Sequence, residues 1–520
     1  MFSLRRFRWC AVERAVLLVL LALALGVSAA GAEGRLDPRI FAGRAQGQKA
    51  SFLVLLRDQA DLSGAAAIRD KKERTRFVYE TLHRHAERAQ AALRRRLDEA
   101  RAAYRPFFIV NMIEVEATRS LAGELAAREE VASVEGNRPA ALARLSAPGV
   151  EIEAAAPAMA AELPNLETIG APSVWARGFT GQEVVVGAAD TGFQWEHPAL
   201  RDRYRGLEGG SVSHDYNWHD AVHDAGPENP CGSDALEPCD DEGHGTGTAG
   251  IAVGSDGGDN RTGVAPGARL IGCRNMDRGV GTPARYAECF EFFLAPTDRS
   301  GANPRPDLAA DVINNSWGCP PREGCTDPDI LRAVVENTRA AGIFVVVSAG
   351  NTGSNCSTIA EAPAIYAASF CVGATTFSGA VAAFSSRGPV TVDGSNRLKP
   401  DLVAPGVFIR APAPPDLYVP LTGTSAAGPH VAGAVALLWS AAPELLGDTG
   451  ETEDLLRRSA RPLISAQTCG GLLAGAVPNA VFGWGRLDVG SAVAMANPVG
   501  RADPRVLDRP GAPRVVAPRD

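Results

Sequence analysis

The run Val184-Val185-Val186-Gly187-Ala188-Ala189 leads directly into Asp190-Thr191-Gly192. Its six residues carry no polar side chain and do not alternate, which is the pattern of a strand covered on both faces. A second such run, Gly342-Ile343-Phe344-Val345-Val346-Val347-Ser348, follows a stretch of helical spacing from Ile330 to Ala341. Strands of this kind alternating with helices predict an α/β fold, a mostly parallel sheet with helices on both faces. Ligands of open parallel sheets bind beyond the carboxyl ends of the strands. Asp190 and Asn351 each fall just after such a run, so both are expected at one crevice. From Ala426 to Trp439 the chain is apolar all round, which reads as a buried helix with Ser425 at its start and Pro429 in its first turn.

Three glycine-flanked runs stand far apart: Ala188-Ala189-Asp190-Thr191-Gly192, Asp241-Glu242-Gly243-His244-Gly245-Thr246 and Gly423-Thr424-Ser425-Ala426-Ala427-Gly428-Pro429-His430. They supply an Asp, a His and a Ser in that order. A serine hydroxyl needs a general base to become a nucleophile, and the imidazole needs a carboxylate to fix its tautomer. At a helix N-terminus the serine N–H is unpaired and the dipole favours negative charge. Acyl transfer also needs donors for the developing oxyanion, and the Asn351 amide of Ser348-Ala349-Gly350-Asn351 with the Ser425 N–H would provide two.

These runs resemble the Asp-Thr-Gly, His-Gly-Thr and Gly-Thr-Ser motifs of the subtilases, the subtilisin-like serine peptidases of family S8. Gly263-Val264-Ala265-Pro266, Asn314-Asn315-Ser316-Trp317-Gly318, Phe384-Ser385-Ser386-Arg387-Gly388-Pro389 and Lys399-Pro400-Asp401-Leu402-Val403-Ala404-Pro405-Gly406 extend the resemblance. The chain departs from it at Ala426, where methionine is usual. The resemblance implies Asp190, His244 and Ser425 as the catalytic residues and Asn351 with Ser425 as the oxyanion hole. It further implies that Ser316, Trp317, Gly318, Ala349 and Gly350 hold an extended peptide. Asn355-Cys356-Ser357-Thr358-Ile359-Ala360-Glu361-Ala362-Pro363 is more similar to the bacillopeptidase F-like branch than to subtilisin itself. Rough alignment puts Glu361 near the base of the S1 pocket, where a carboxylate would favour a basic P1 residue; a solvated loop glutamate is the competing reading. The chemistry requires no cofactor and no metal ligand is assigned. Many subtilases bind structural calcium, and the acidic loops Asp234–Glu242 and Asp256–Asp259 are of the kind that hold it.

Upstream, Arg5, Arg6, Arg8 and Arg14 precede an apolar run to Val27 and the small-residue site Ala30-Gly31-Ala32, so residues 1–32 read as an export signal. About 13 apolar residues are too few to anchor the chain in a bilayer of roughly 30 Å. Whether the general or the twin-arginine route is used stays open. Residues 33–145 read as a small α+β unit of ferredoxin-like order, with a helix carrying Val78, Leu82, Ala86, Ala89, Leu93, Leu97, Ala100 and Tyr104 and ended by Pro106. By resemblance this unit is an inhibitor I9-like prodomain, an intramolecular inhibitor and folding assistant. Residues 146–161 form an Ala- and Pro-rich linker with the expected processing site, 162–497 the catalytic domain, and 498–520 a Pro-rich tail expected to be disordered.

Of ten cysteines, Cys10 would leave with the signal; the other nine, in an exported chain, read as disulfides, and the close spacings suggest Cys231/Cys239, Cys319/Cys325, Cys356/Cys371 and Cys273/Cys289, with Cys469 left over. A formal net charge of -8 gives no footprint for nucleic acid. The expected product is a secreted serine endopeptidase made as a zymogen, acting on protein or peptide substrates through an acyl-enzyme on Ser425. The competing reading is a peptide-binding protein that keeps the fold without turnover. An esterase or lipase would call for a Gly-x-Ser-x-Gly elbow, which does not occur at Ser425.

Overall fold

The computed structural model describes residues 35–137 and 164–497. The stretches expected to be an export signal (1–32), a linker (146–161) and a tail (498–520) lie outside the described residues. Residues 35–60, 85–107 and 111–137 make one compact unit, and 61–84, 108–110 and 164–497 make another.

The elements before residue 138 are, in chain order, β1 (Lys49–Leu56), α1 (Lys71–Ala89), α2 (Ala91–Ala100), β2 (Ala103–Phe107), β3 (Met112–Thr118), α3 (Arg119–Ala126) and β4 (Val131–Gly136). Residues 71–84 of α1 group with the second unit. The four strands form an antiparallel sheet in the order β2-β3-β1-β4. Phe52, Val54, Leu97, Ile113, Val115 and Leu125 fill its core. The helix expected to run through Tyr104 to Pro106 instead breaks at Gln90 and stops at Ala100. The Gln90 amide turns inward to donate to the Phe107 carbonyl at 2.7 Å and to Asn111 at 3.0 Å. Arg101, at φ 52°, closes α2 in the left-handed region. Tyr104 and Pro106 belong to β2, an edge strand whose ladder bonds run on one side only, so a proline is accepted there.

In the second unit, α4 (Pro164–Thr168) and α5 (Ala171–Trp175) precede β5 (Val185–Asp190), the short pair β6 (Leu207–Glu208) and β7 (Ser211–Val212), and β8 (Trp218–Asp220). Then come α6 (His244–Val253), β9 (Arg269–Arg274), the hairpin β10 (Met276–Asp277) and β11 (Val280–Gly281), α7 (Pro283–Leu294), β12 (Val312–Asn315), α8 (Arg332–Ala340) and β13 (Phe344–Ser348). The chain continues through β14 (Phe370–Thr375), β15 (Leu402–Pro405), the hairpin β16 (Ile409–Ala413) and β17 (Leu417–Leu421), α9 (Thr424–Ala441), α10 (Thr449–Ser459) and α11 (Val489–Ala496). Seven strands pair in parallel in the order β15-β14-β13-β12-β5-β9-β8.

The opening run explains itself in this setting. Val186 and Ala188 enter the core shared with Ala249 and Ala252 of α6 and Val431 and Val435 of α9. Gly187 points the other way, where a β-carbon would stand 2.8 Å from the Phe293 ring of α7. Helices on both faces leave no solvated side and hence no alternation. Asp190 is in phase with Val186 and Ala188, so it emerges toward α6 and α9. From β5 the chain goes first to the edge strand β8, returns to β9 beside β5, and then crosses to β12 and β13 on the other side. The order therefore reverses beside β5, and the carboxyl ends of β5, β12 and β13 border the crevice that such a reversal opens.

Cys231–Cys239, Cys273–Cys289 and Cys319–Cys325 are disulfides, as the spacing suggested. The expected Cys356/Cys371 pair does not form: Cys356 joins Cys469, and among the described residues Cys371 is left as a free, buried thiol. Cys371 lies in β14 between two hydrogen-bonded neighbours, fully enclosed, and burial pushes its thiol well above the usual range. Cys356 stands in an exposed loop, where Cys469 comes within 5.3 Å between α-carbons. Among the described residues no helix is long and apolar enough to cross a membrane.

Candidate active site

Asp190 is the last residue of β5 rather than the first beyond it. Its Oδ1 accepts from the Thr191 N–H at 2.8 Å and lies 2.6 Å from His244 Nδ1, while Oδ2 accepts from the Thr248 hydroxyl at 3.1 Å. His244 opens α6, and Thr248 follows one turn later on the same face. The carboxylate side chain is 1% exposed and the imidazole 10%, so water cannot screen the pair. Burial alone would lower the imidazole; the Asp190 charge and hydrogen bond, helped by Glu242 and Asp240, outweigh it and push His244 up to about 9. With Nδ1 facing the carboxylate, Nε2 is the nitrogen left to take a proton. Gly245 is needed for approach, since a β-carbon there would lie 1.9 Å from the Gly192 carbonyl.

Asp240 was not singled out in the sequence, where it looks like one more residue of an acidic loop. It accepts from the Thr191 hydroxyl, the Gly243 N–H, and the Thr246 N–H and hydroxyl at 2.5–2.8 Å. These bonds tie the end of β5 to the start of α6 and so hold Asp190 against His244.

Ser425 lies in the first turn of α9 and is 6% exposed. Its hydroxyl donates to the Ser316 carbonyl at 3.1 Å, not to His244. Pro429, expected in the first turn, lies beyond it and has no N–H for the Ser425 carbonyl. The Ser316 hydroxyl supplies the missing donor at 3.0 Å and itself accepts from Asn314 at 2.9 Å. The proline thus gives the start of α9 a tie to the end of β12, next to β5.

Asn351 Oδ1 accepts from the Thr424 N–H at 2.9 Å and the Thr424 hydroxyl at 2.8 Å. The amide is thereby oriented, with Nδ2 turned toward the open side of Gly423. A β-carbon at Gly423 would stand 3.4 Å from Asn351 Nδ2, 3.6 Å from Ser425 N and 3.8 Å from Ser425 Cβ. Two N–H donors and the serine therefore border one small space, the geometry an oxyanion needs. We expect Asn351→Ala to lower kcat about 10²–10³-fold, roughly 2.7–4 kcal/mol, with KM little changed. Steady-state kinetics with thermal melts as a folding control check this.

The expected substrate residues divide. Ser316 and Gly318 bracket a short run beyond β12, and Ala349 and Gly350 follow β13 directly. The Trp317 side chain turns inward, donating to the Ala189 carbonyl at 3.1 Å and stacking on Tyr286 at 3.7 Å between centroids, so only its backbone is available to a ligand. Glu361 is not a solvated loop residue. The Cys319 N–H donates to the Ala362 carbonyl at 2.7 Å, and a β-carbon at Gly318 would lie 2.3 Å from Glu361 Oε2. Burial raises the Glu361 carboxyl, with Arg322 opposing.

In each acidic loop considered for calcium at least one carboxylate is engaged by protein donors. Asp241 accepts from Asn229 at 2.6 Å and Arg274 at 3.4 Å, and Asp256 accepts from Gly258 and Asn260 of its own turn. Among the described residues no group of three or more His, Cys, Asp or Glu side chains is placed to hold a metal ion.

Comparison with known proteins gives a family model described as "Subtilase family", Peptidase_S8, that matches residues 181–485. Bacillopeptidase F of Bacillus subtilis (strain 168) is 34% identical over 490 residues, covering 88% of this chain and 32% of that protein. The major intracellular serine protease of the same organism is 32% identical over 317 residues, covering 60% of this chain and 86% of that protein. Subtilisin E is 31% identical over 281 residues, 54% of this chain and 61% of that protein. The chain thus spans about a third of the length of the first of these relatives.

Proposed function

The chain belongs to the subtilase family, and on that premise we propose that it is a secreted serine endopeptidase made as a zymogen. The observation that carries the reading is the 2.6 Å Asp190–His244 pair at the end of β5, beside a serine whose N–H and the Asn351 amide border one space. An extended peptide pairs with the backbone of Ser316-Trp317-Gly318 as an added strand. The Ser425 hydroxyl leaves the Ser316 carbonyl and turns to His244 Nε2, which takes its proton as Oγ attacks the scissile carbonyl. The oxyanion is held by Asn351 Nδ2 and the Ser425 N–H, and Asp190 balances the imidazolium. His244 then protonates the leaving amine, and water, activated by the same imidazole, releases the acyl group from Ser425. Residues 1–32 direct export, and the unit over 33–145 inhibits and assists folding until cleavage within 146–161 removes it. Glu361, against Gly318, favours a basic P1 residue.

An alkyl fluorophosphonate tests the central claim. It should modify one residue, Ser425, identified by mass spectrometry of the digest, and abolish casein hydrolysis in proportion to labelling. Absence of casein hydrolysis by the untreated, exported protein would overturn the peptidase reading.

A further inference from the structure

We propose that Glu242 and Glu361 together select substrates with two consecutive basic residues immediately before the scissile bond. The proposal rests on the peptidase reading and deepens it, since it gives Glu242, so far only a neighbour that raises His244, a part in recognising the substrate.

Asp240, Asp241 and Glu242 are consecutive acids just before His244. Asp240 spends its oxygens on Thr191, Gly243 and Thr246, and Asp241 on Asn229, Arg274 and the Arg278 N–H. Glu242 alone has no hydrogen bond or ion pair at its carboxylate among the described residues. It ends beside the tip of the β10–β11 hairpin, where a β-carbon at Gly279 would lie 2.9 Å from Glu242 Oε2. Together with His244, Ala411, Pro412 and Leu421 it lines a small cavity.

Glu361, half-buried against Gly318, stands in the same condition. Its neighbour Glu323 receives the Tyr286 hydroxyl at 2.8 Å, whereas the Glu361 carboxylate has no hydrogen bond or ion pair among the described residues. Arg322, the cation whose field reaches it, is largely exposed and lies 3.9 Å from Glu323. A partly buried carboxylate without a partner is costly, and a ligand cation would remove that cost.

The period of an extended chain links the two groups. Successive side chains of a strand point to opposite sides. If the residue whose carbonyl Ser425 attacks sends its side chain between Gly318 and Ala349-Gly350, it meets Glu361. The residue before it then points the other way, toward His244, and meets Glu242. A lysine or arginine in each position would bring one charge to each carboxylate.

The test uses the exported protein and four quenched peptides that differ only in the two residues before the cleaved bond: Lys-Arg, Ala-Arg, Lys-Leu and Ala-Leu. Glu361 is half-buried and Glu242 exposed, so kcat/KM should favour Arg over Leu by about tenfold or more, and Lys over Ala before it by about five- to tenfold. Glu242→Gln should bring the Lys/Ala ratio near one while keeping the Arg/Leu ratio, and Glu361→Gln should do the reverse. Hydrolysis with a wild-type Lys/Ala ratio of one or below, or a ratio that Glu242→Gln does not change, overturns the paired selection. No hydrolysis of any peptide or of casein would instead overturn the peptidase reading on which it rests.

Discussion

Ser425→Ala should leave a folded protein whose turnover has fallen on the order of 10⁶-fold. The substitution removes one hydroxyl whose single bond goes to the Ser316 carbonyl, a contact worth about 1 kcal/mol. The Ser425 carbonyl keeps its bond from Ser316, and the N–H that faces Gly423 is unchanged. The thermal midpoint should therefore move by only a few degrees while hydrolysis disappears, which separates a chemical role from a structural one. The same variant tests the zymogen claim. If the chain removes its own N-terminal unit, wild type exported from a host should begin within or just after 146–161, and the variant should begin near residue 33. N-terminal sequencing of both reads this directly, and identical processing together with no casein hydrolysis by either would refute self-maturation and the peptidase reading.

Asp190→Asn should lower kcat about 10⁴-fold and also move the pH profile. His244 works as a base only when neutral, so activity rises as pH climbs through its pKa, which the Asp190 charge holds at about 9. Removing that charge takes away the largest influence raising the imidazole, so the rising limb should shift to lower pH even as the plateau falls. The amide costs rate for a second reason. It can present an NH2 to Nδ1, holding the ring in the tautomer whose proton sits on Nε2 and cannot accept from Ser425. A limb left in place would mean that Glu242 and Asp240, which also raise His244, set its pKa without Asp190. The measurement is kcat/KM from about pH 6 to pH 10 for both proteins, since this quantity reports the free enzyme.

How far the sequence could be read depended on whether a feature was local. The strands β5 and β13 were legible because burial on both faces leaves an unbroken apolar run, and Asp190 and Asn351 followed from their positions at the strand ends. The helix through Tyr104 was over-extended because the spacing of apolar residues continues across Arg101, and only the left-handed backbone there and the edge position of β2 end it. Cys371 was paired by proximity in sequence, but spacing does not tell which cysteine lies inside a sheet. The inward turn of the Trp317 indole depends on Tyr286 and on the Ala189 carbonyl, both distant in sequence. Glu242 is inconspicuous in the sequence for the opposite reason. Among three consecutive acids nothing in the sequence marks the one whose partners are missing.

The Cys356–Cys469 bridge closes a loop of chain that contains Ser425 itself. For an enzyme that cuts polypeptides this has a topological result. A nick by a neighbouring molecule anywhere between the two cysteines, for example in the exposed turn around Asn396, opens the loop but releases no fragment. The severed ends stay joined through sulfur, and the nucleophile stays joined to the strand that carries Asp190. Such damage would be invisible on a gel run without reductant and would split the band in its presence, so the population could wear by cutting without losing mass.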